Sequence, residues 1–259
     1  MGAASWWLAR ALGATLSSGF QPPEMAAAQH SAQDVIGDLG GMPVRIPKEV
    51  AEYVEYDGDP GWEPRSGPPP IRTYASKIRG FSFRLRLPDM AMLMAPEMWD
   101  DWRRNTIYST PWINVGVGSG EHYPPPGFMN RMRVADGKVD SENWWDDYKE
   151  IRQKKFGLTE YKLKVAIPHE TGMPGNPSDY GDTIYLYRDK HGMVETYIKC
   201  SNVPHQGAPC HQTWDMSGRG INAEVKLLYR RGHLENWREI QRSVSEVILN
   251  FRVDMAKKI

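Results

Sequence analysis

Apolar and polar residues alternate most strictly in "FSFRLRL". Phe81, Phe83, Leu85 and Leu87 fall on one side, and Ser82, Arg84 and Arg86 on the other. A period of two with one greasy side predicts a β-strand in a sheet with one wet face. "PVRIP" before it reads as a short strand, and "KEVAEYVEY" as one or two helical turns. "DGDPGWEPRSGPPP" is a loop by its Asp, Gly and Pro content. Residues 106–120 form a second strand region in which Pro111 is a bulge or break, and "EHYPPPGF" is a loop. "DSENWWDDYKEIRQKKF" suggests a short helix over 140–157. "EYKLKVAIP" alternates again at Tyr161, Leu163, Val165 and Ile167, and "TGMPGNPSDYGD" is a loop. "TIYLYRDKHGMVETYIKCS" is a hairpin turning at Asp189–Gly192. "PCHQTWDM" and "NAEVKLLYR" follow as strands, with "SGRG" between them.

The period then changes. Leu234, Trp237, Ile240, Val244, Val247, Ile248 and Phe251 recur at helical spacing. The expected fold is therefore α+β: a largely antiparallel sheet with a long amphipathic C-terminal helix on its apolar face. Residues 1–34 read as a disordered leader or an atypical export signal, in which Arg10 interrupts the apolar run and small residues end at Ala28. Residues 35–259 read as a single α+β domain, with a faint echo between two halves.

Composition narrows the function. The chain has 259 residues, with 32 basic and 32 acidic side chains. Zero net charge lacks the basic surplus of a nucleic-acid binder. No apolar run approaches the roughly 18 residues that span a bilayer. Ten tryptophans and 12 tyrosines exceed what a core requires. Some of these rings are expected at a contact surface; the alternative is that they pack beneath loops.

The only cysteines, Cys200 and Cys210, lie ten positions apart. With His205 and His211 they make four zinc-type ligands, but the spacing matches no paired C-x-x-C arrangement. A catalytic thiol needs a histidine base beside it. His211 adjoins Cys210, and adjacent strand residues point to opposite faces. Two buried free thiols are a further reading. Cysteines facing each other across an antiparallel hairpin suit a disulfide best. Such a bond implies an oxidising compartment, and together with the signal-like leader it points to a bacterial periplasm rather than a cytosol.

Searches for catalytic motifs fail. "GVGSGEH" places Gly118 where a nucleophile elbow needs serine, and Glu121 where a dinucleotide fingerprint needs glycine. "HE" at 169–170 lacks the second histidine of a zincin. No enzyme activity, metal or cofactor is expected. What remains is charge beside aromatic rings. Residues 49–65 hold six acids and one base, whereas residues 226–259 hold eight bases and four acids. Candidate partner-binding residues are Glu55, Asp57, Asp59 and Trp62 in the acidic loop. Two further groups are Trp99, Asp100, Asp101 and Trp102 in "MWDDWRR", and Trp144, Trp145, Asp146 and Asp147 in "ENWWDDYKE". Such a surface suits a basic pocket on another protein. Solvated loops over packed tryptophans are the plain alternative.

Three phrases carry a resemblance: "VIGDLGGMPVRIPKEVAEYVEYDGDPGW", "RTYASKIRGFSFRLRLPDM" and "YRRGHLENWREIQRSVSEVILNF". Over about residues 35–252 the chain resembles periplasmic immunity proteins encoded beside type VI secretion lipase effectors. The resemblance implies one-to-one binding of a cognate phospholipase effector, preventing self-intoxication. A competing reading is a periplasmic carbohydrate- or ligand-binding module that uses exposed tryptophans as stacking platforms.

Overall fold

The computed structural model describes residues 33–60, 67–68, 70–106, 109–135, 148–163, 181–203, 205 and 207–255. Leader residues 1–32, Trp62, the segment from Trp144 to Asp147, Val165, Ile167 and residues 171–180 of the loop "TGMPGNPSDYGD" lie outside the described residues.

The described residues open with a hairpin, β1 (Val35–Leu39) and β2 (Met42–Ile46). Its two-residue turn is Gly40–Gly41, both at positive φ, as the tightest hairpin turns demand. Glycine is required at 40 twice over: a Cβ there would sit 2.3 Å from the Asn222 carbonyl oxygen. One turn then closes on the Pro47 carbonyl, which accepts from the amides of Val50 and Ala51. The helical reading of "KEVAEYVEY" stops there, because β3 (Glu52–Tyr56) is extended. Tyr53 sits at φ 52° and the register slips between Glu52 and Glu55. A strand with an irregular register shows no clean alternation, and the sequence therefore reads as helix.

The remaining strands are β4 (Ile78–Arg86), β5 (Ala91–Met92), β6 (Trp112–Gly118), β7 (Tyr148–Lys155), β8 (Leu158–Leu163), β9 (Asp182–Arg188), β10 (Val194–Ser201), β11 (Pro209–Asp215) and β12 (Glu224–Arg230). Among the described residues, β3 to β12 join one antiparallel sheet in the order β3-β4-β6-β12-β11-β10-β9-β8-β7, with β5 beside β4. Helices α1 (Pro96–Arg104) and α2 (Phe128–Ala135) are short, and α3 (Trp237–Asn250) follows the 3-10 segment Arg231–Asn236. Pro111 precedes β6 rather than interrupting it.

Register makes the two faces of the sheet explicit. Phe83, Val115, Leu227, Gln212, Ile198, Tyr185 and Glu160 are neighbours across successive strands. All are buried. They form the floor under α3, as the period-two and helical patterns predict. Phe251, just past α3, meets Phe81 and Phe83 at ring distances of 6.3 and 5.8 Å. The polar members of this row are paired: Glu160 accepts from the Tyr185 hydroxyl at 3.3 Å, and the Gln212 amide donates to Gln241 Oε1 at 2.8 Å while its carbonyl accepts from Tyr229 at 2.9 Å. Burying an amide is tolerable only with such partners.

The other face is wet only in part. At its β9–β10 end, Ile184, Leu186 and Tyr197 form a second core with Phe128 and Met129 of α2. At its β4 end, α1 lies over Arg84.

The helix expected over 140–157 is overturned where it can be seen. Tyr148–Lys155 is strand β7, paired with β8. Phe156 and Gly157, both at positive φ, make the two-residue turn. β7 is an edge strand whose side chains are largely exposed. With no core face to serve, it carries no alternation.

Candidate docking face

The described candidate partner-binding residues, Glu55, Asp57, Asp59, Trp99, Asp100, Asp101 and Trp102, fall on two elements next to each other, the β3–β4 edge and α1. The acidic loop is tied into the fold. Glu55 Oε2 accepts from Arg79 at 3.1 Å, and Arg79 also approaches Glu121 at 3.9 Å. Asp57 Oδ1 accepts from the Glu121 amide at 3.0 Å. The close approach requires Gly120, at φ 50°, where a Cβ would lie 2.5 Å from that carboxylate. Asp59 accepts from the Tyr56 amide at 3.1 Å and from Arg72 at 2.5 Å. The Arg72 guanidinium in turn lies 4.0 Å over the Tyr56 ring. Asp57 and Asp59 thus shape the loop, while the Glu55 side chain is 47% exposed and open to a partner.

Helix α1 forms because Pro96 suits the first helical position, Glu97 lies in the first turn, and Arg103 and Arg104 lie in the last. Trp99 and Trp102, three apart, share one side of it and meet edge to face at 5.6 Å. Beneath them stands Arg84, 4.5 Å from the Trp102 ring and 5.7 Å from Trp99. Its guanidinium donates to Glu52 at 2.8 Å, with both side chains largely buried. A cation held between a carboxylate and two indoles fixes the helix to the sheet. Asp101 accepts from the Trp112 indole at 2.9 Å and lies 4.0 Å from Arg86. Asp100 pairs with Arg103 at 2.6 Å at the surface. Arg86 also holds the Asp89 carboxyl below the usual carboxylate range.

The structure therefore brings Trp99, Asp100, Asp101 and Trp102 together on α1, and Glu55, Asp57 and Asp59 around Arg79 and Arg72. Trp62, Trp144, Trp145, Asp146 and Asp147 lie outside the described residues. Sequence reasoning missed Glu52, Arg79, Arg84 and Glu121, which organise this face. The arginine side of "FSFRLRL" was the available signal for Arg84. Among the described residues no three metal-ligating side chains gather, and no helix is long and apolar enough to cross a membrane.

Cys200 and Cys210 are register partners across β10 and β11 and are joined by a disulfide. This settles the cysteine question in favour of the covalent clip.

No protein-family model matches the chain, and no curated protein matches it significantly. In structure, the chain is similar to an immunity protein of the Stenotrophomonas maltophilia type IV secretion system. That match has a TM-score of 0.54 and 19% identity, over 87% of this chain and 94% of the other. The chain is also similar to the iron-regulated outer membrane lipoprotein FrpD of Neisseria meningitidis, with a TM-score of 0.43 and 10% identity, over 85% of this chain and 93% of the other. The first likeness establishes a shared fold; the second is too distant to argue from.

Proposed function

We propose that the chain is an immunity protein that binds a cognate phospholipase effector of a type VI secretion system, one to one, in the periplasm. It blocks the effector and performs no chemistry of its own. The observation that carries this reading is the fold shared, across most of both chains, with an immunity protein. That neighbour serves a type IV system, so the type VI and phospholipase assignments rest on the three quoted phrases. The disulfide supports an oxidising compartment.

In this reading the docking face is the β3–β4 edge with α1. Glu55, Asp100, Trp99 and Trp102 face the partner, and Asp57, Asp59 and Asp101 hold the shape. In sequence, Trp62 and the segment from Trp144 to Asp147 carry the same acidic, aromatic chemistry. Rings supply area, and carboxylates complement a phosphodiester-binding pocket.

The test is co-expression with the product of the adjacent reading frame. The expected result is a one-to-one complex, survival of cells that receive the effector in the periplasm, and loss of lipase activity in the purified mixture. A double variant, Glu55→Lys with Asp100→Lys, should weaken the complex. No complex and no protection overturns the reading, as does glycan binding without a protein partner or turnover of a lipid by the chain alone.

A further inference from the structure

A recess of about 330 Å³ opens on the α3 side of the sheet, where the helix leaves β9–β11 uncovered. Tyr187 and Trp237 wall it, and their rings lie 5.4 Å apart. Its floor is polar and satisfied: Thr196 Oγ1 donates to Gln241 Oε1 at 2.9 Å, and the Trp214 indole donates to Ser245 at 3.1 Å.

Three arginines line it, and they are not equivalent. Arg219 is paired with Glu246 at 2.6 Å, and Arg242 with Glu239. Arg238 is exposed and pairs with no carboxylate among the described residues. Instead its guanidinium lies 4.7 Å over the Tyr187 ring and 5.0 Å over Trp237. Stacking on two rings restricts the side chain while leaving its N–H donors available. The two acids in the lining do not neutralise it. Asp215 is taken up by Tyr123 at 2.9 Å and by Ser217 at 2.6 Å. Glu195 pairs with no described cation.

The tip of the β7–β8 hairpin extends the same surface. The Trp237 indole donates to the Phe156 carbonyl at 3.0 Å. A Cβ on Gly157 would stand 3.9 Å from Arg238 Nη2. Phe156 is 45% exposed, with the Lys155 ammonium 5.5 Å from its ring. Lys155 is exposed and, among the described residues, has no acidic partner. Arg238 and Lys155 thus flank an aromatic recess with no carboxylate partner among the described residues. Unpaired like charges destabilise a fold, and an anionic occupant would relieve them.

We propose that this recess and hairpin receive an acidic, extended peptide segment of a protein partner, with one carboxylate seated on Arg238 and a neighbouring acid on Lys155. The concavity favours a peptide over a flat lipid surface. The proposal rests on the reading that the chain acts by binding a protein, and it adds a second contact chemically opposite to the acidic face.

The experiment uses the full chain and three probes: a fluorescein-labelled Glu/Ser peptide, its Gln/Ser counterpart, and phosphatidylglycerol-containing vesicles. Fluorescence anisotropy should show salt-sensitive binding of the Glu peptide and none of the Gln peptide. Arg238→Glu should weaken the Glu peptide by about tenfold or more, and Arg238→Gln and Lys155→Gln by less. The matched charge change Arg104→Glu should leave it unaltered. Unchanged near-ultraviolet dichroism shows that each variant is folded. The proposal is overturned if the wild-type chain ignores the Glu peptide or if folded Arg238→Glu binds it equally well. Vesicle binding that needs Arg238, with no peptide binding, also overturns it and assigns the surface to lipid. Protection against the effector without peptide binding removes this proposal alone. Peptide binding without any effector complex removes only the immunity reading.

Discussion

Cys200 and Cys210 stand directly opposite each other on β10 and β11, with Cα atoms 4.0 Å apart and their sulfurs bonded. Both are buried in the main core, at 1% and 0% exposure. Closing so short a loop stabilises by roughly 2–3 kcal/mol in the chain-entropy account. The double variant Cys200→Ala/Cys210→Ala should lose about that much in urea unfolding. Because the sulfurs are inaccessible, mild dithiothreitol should leave the native bond intact. Mass spectrometry after alkylation should detect labelling only once urea is added.

Gln212 joins three elements through Tyr229, Gln241 and the Trp237 carbonyl. Gln212→Leu keeps the bulk but strands the Tyr229 hydroxyl, which is 1% exposed as a residue. An orphaned buried donor costs about 1–3 kcal/mol. Chemical denaturation should show a loss of that order, and Gln212→Leu combined with Tyr229→Phe should recover part of it.

Gly40 carries the β1–β2 hairpin against Asn222, whose amide donates to the Gly40 carbonyl at 2.9 Å. Gly40→Ala meets both the positive φ and the backbone contact at 2.3 Å. A loss of about 2 kcal/mol or more is expected from the two effects together. Hydrogen exchange should locate it in residues 35–46, with the amides of β10 and β11 still protected.

Burial pushes the phenols of Tyr229 and Tyr185 well above the ordinary tyrosine value; the nearby Glu160 carboxylate adds to the effect at Tyr185. The folded state therefore holds these protons longer than the unfolded chain does. Their contribution is fully present below about pH 10, the unfolded value, and is lost as pH rises toward the folded one. Stability measured from pH 9 upward should fall, and Tyr229→Phe should flatten the fall. His233 behaves in the opposite sense. Burial lowers its pKa, so its contribution is present above the unfolded value and lost as pH falls below it.

Arg84 is predicted to anchor α1. Arg84→Ala removes the cation under Trp99 and Trp102 and leaves Glu52 buried without it. The amides of residues 96–104 should exchange faster while those of α3 stay slow. Docking that depends on the α1 tryptophans should weaken in parallel in a pull-down. Unaltered exchange over α1 would show that the helix is held by other contacts.

Local rules alone determine much of this molecule. The alternation of Phe81, Phe83, Leu85 and Leu87 assigns their strand and its buried side. The spacing from Trp237 to Phe251 assigns the covering helix, and the two cysteines announce a hairpin clip. Each of these signals is written within a few residues, because one face of the element must be apolar. The edge strand β7 escapes such reading, since exposure on both sides leaves no period to find. Helix α1 escapes it because its tryptophans pack on the charged side of β4 through Arg84, a contact with no hydrophobic stripe behind it. Pairing of the acidic loop with Arg72, Arg79 and the turn at Gly120 joins residues far apart in the chain. So does the gathering of Lys155, Phe156, Tyr187 and Arg238 around one recess. Only the register of the whole sheet decides which distant charges meet and which stay unneutralised.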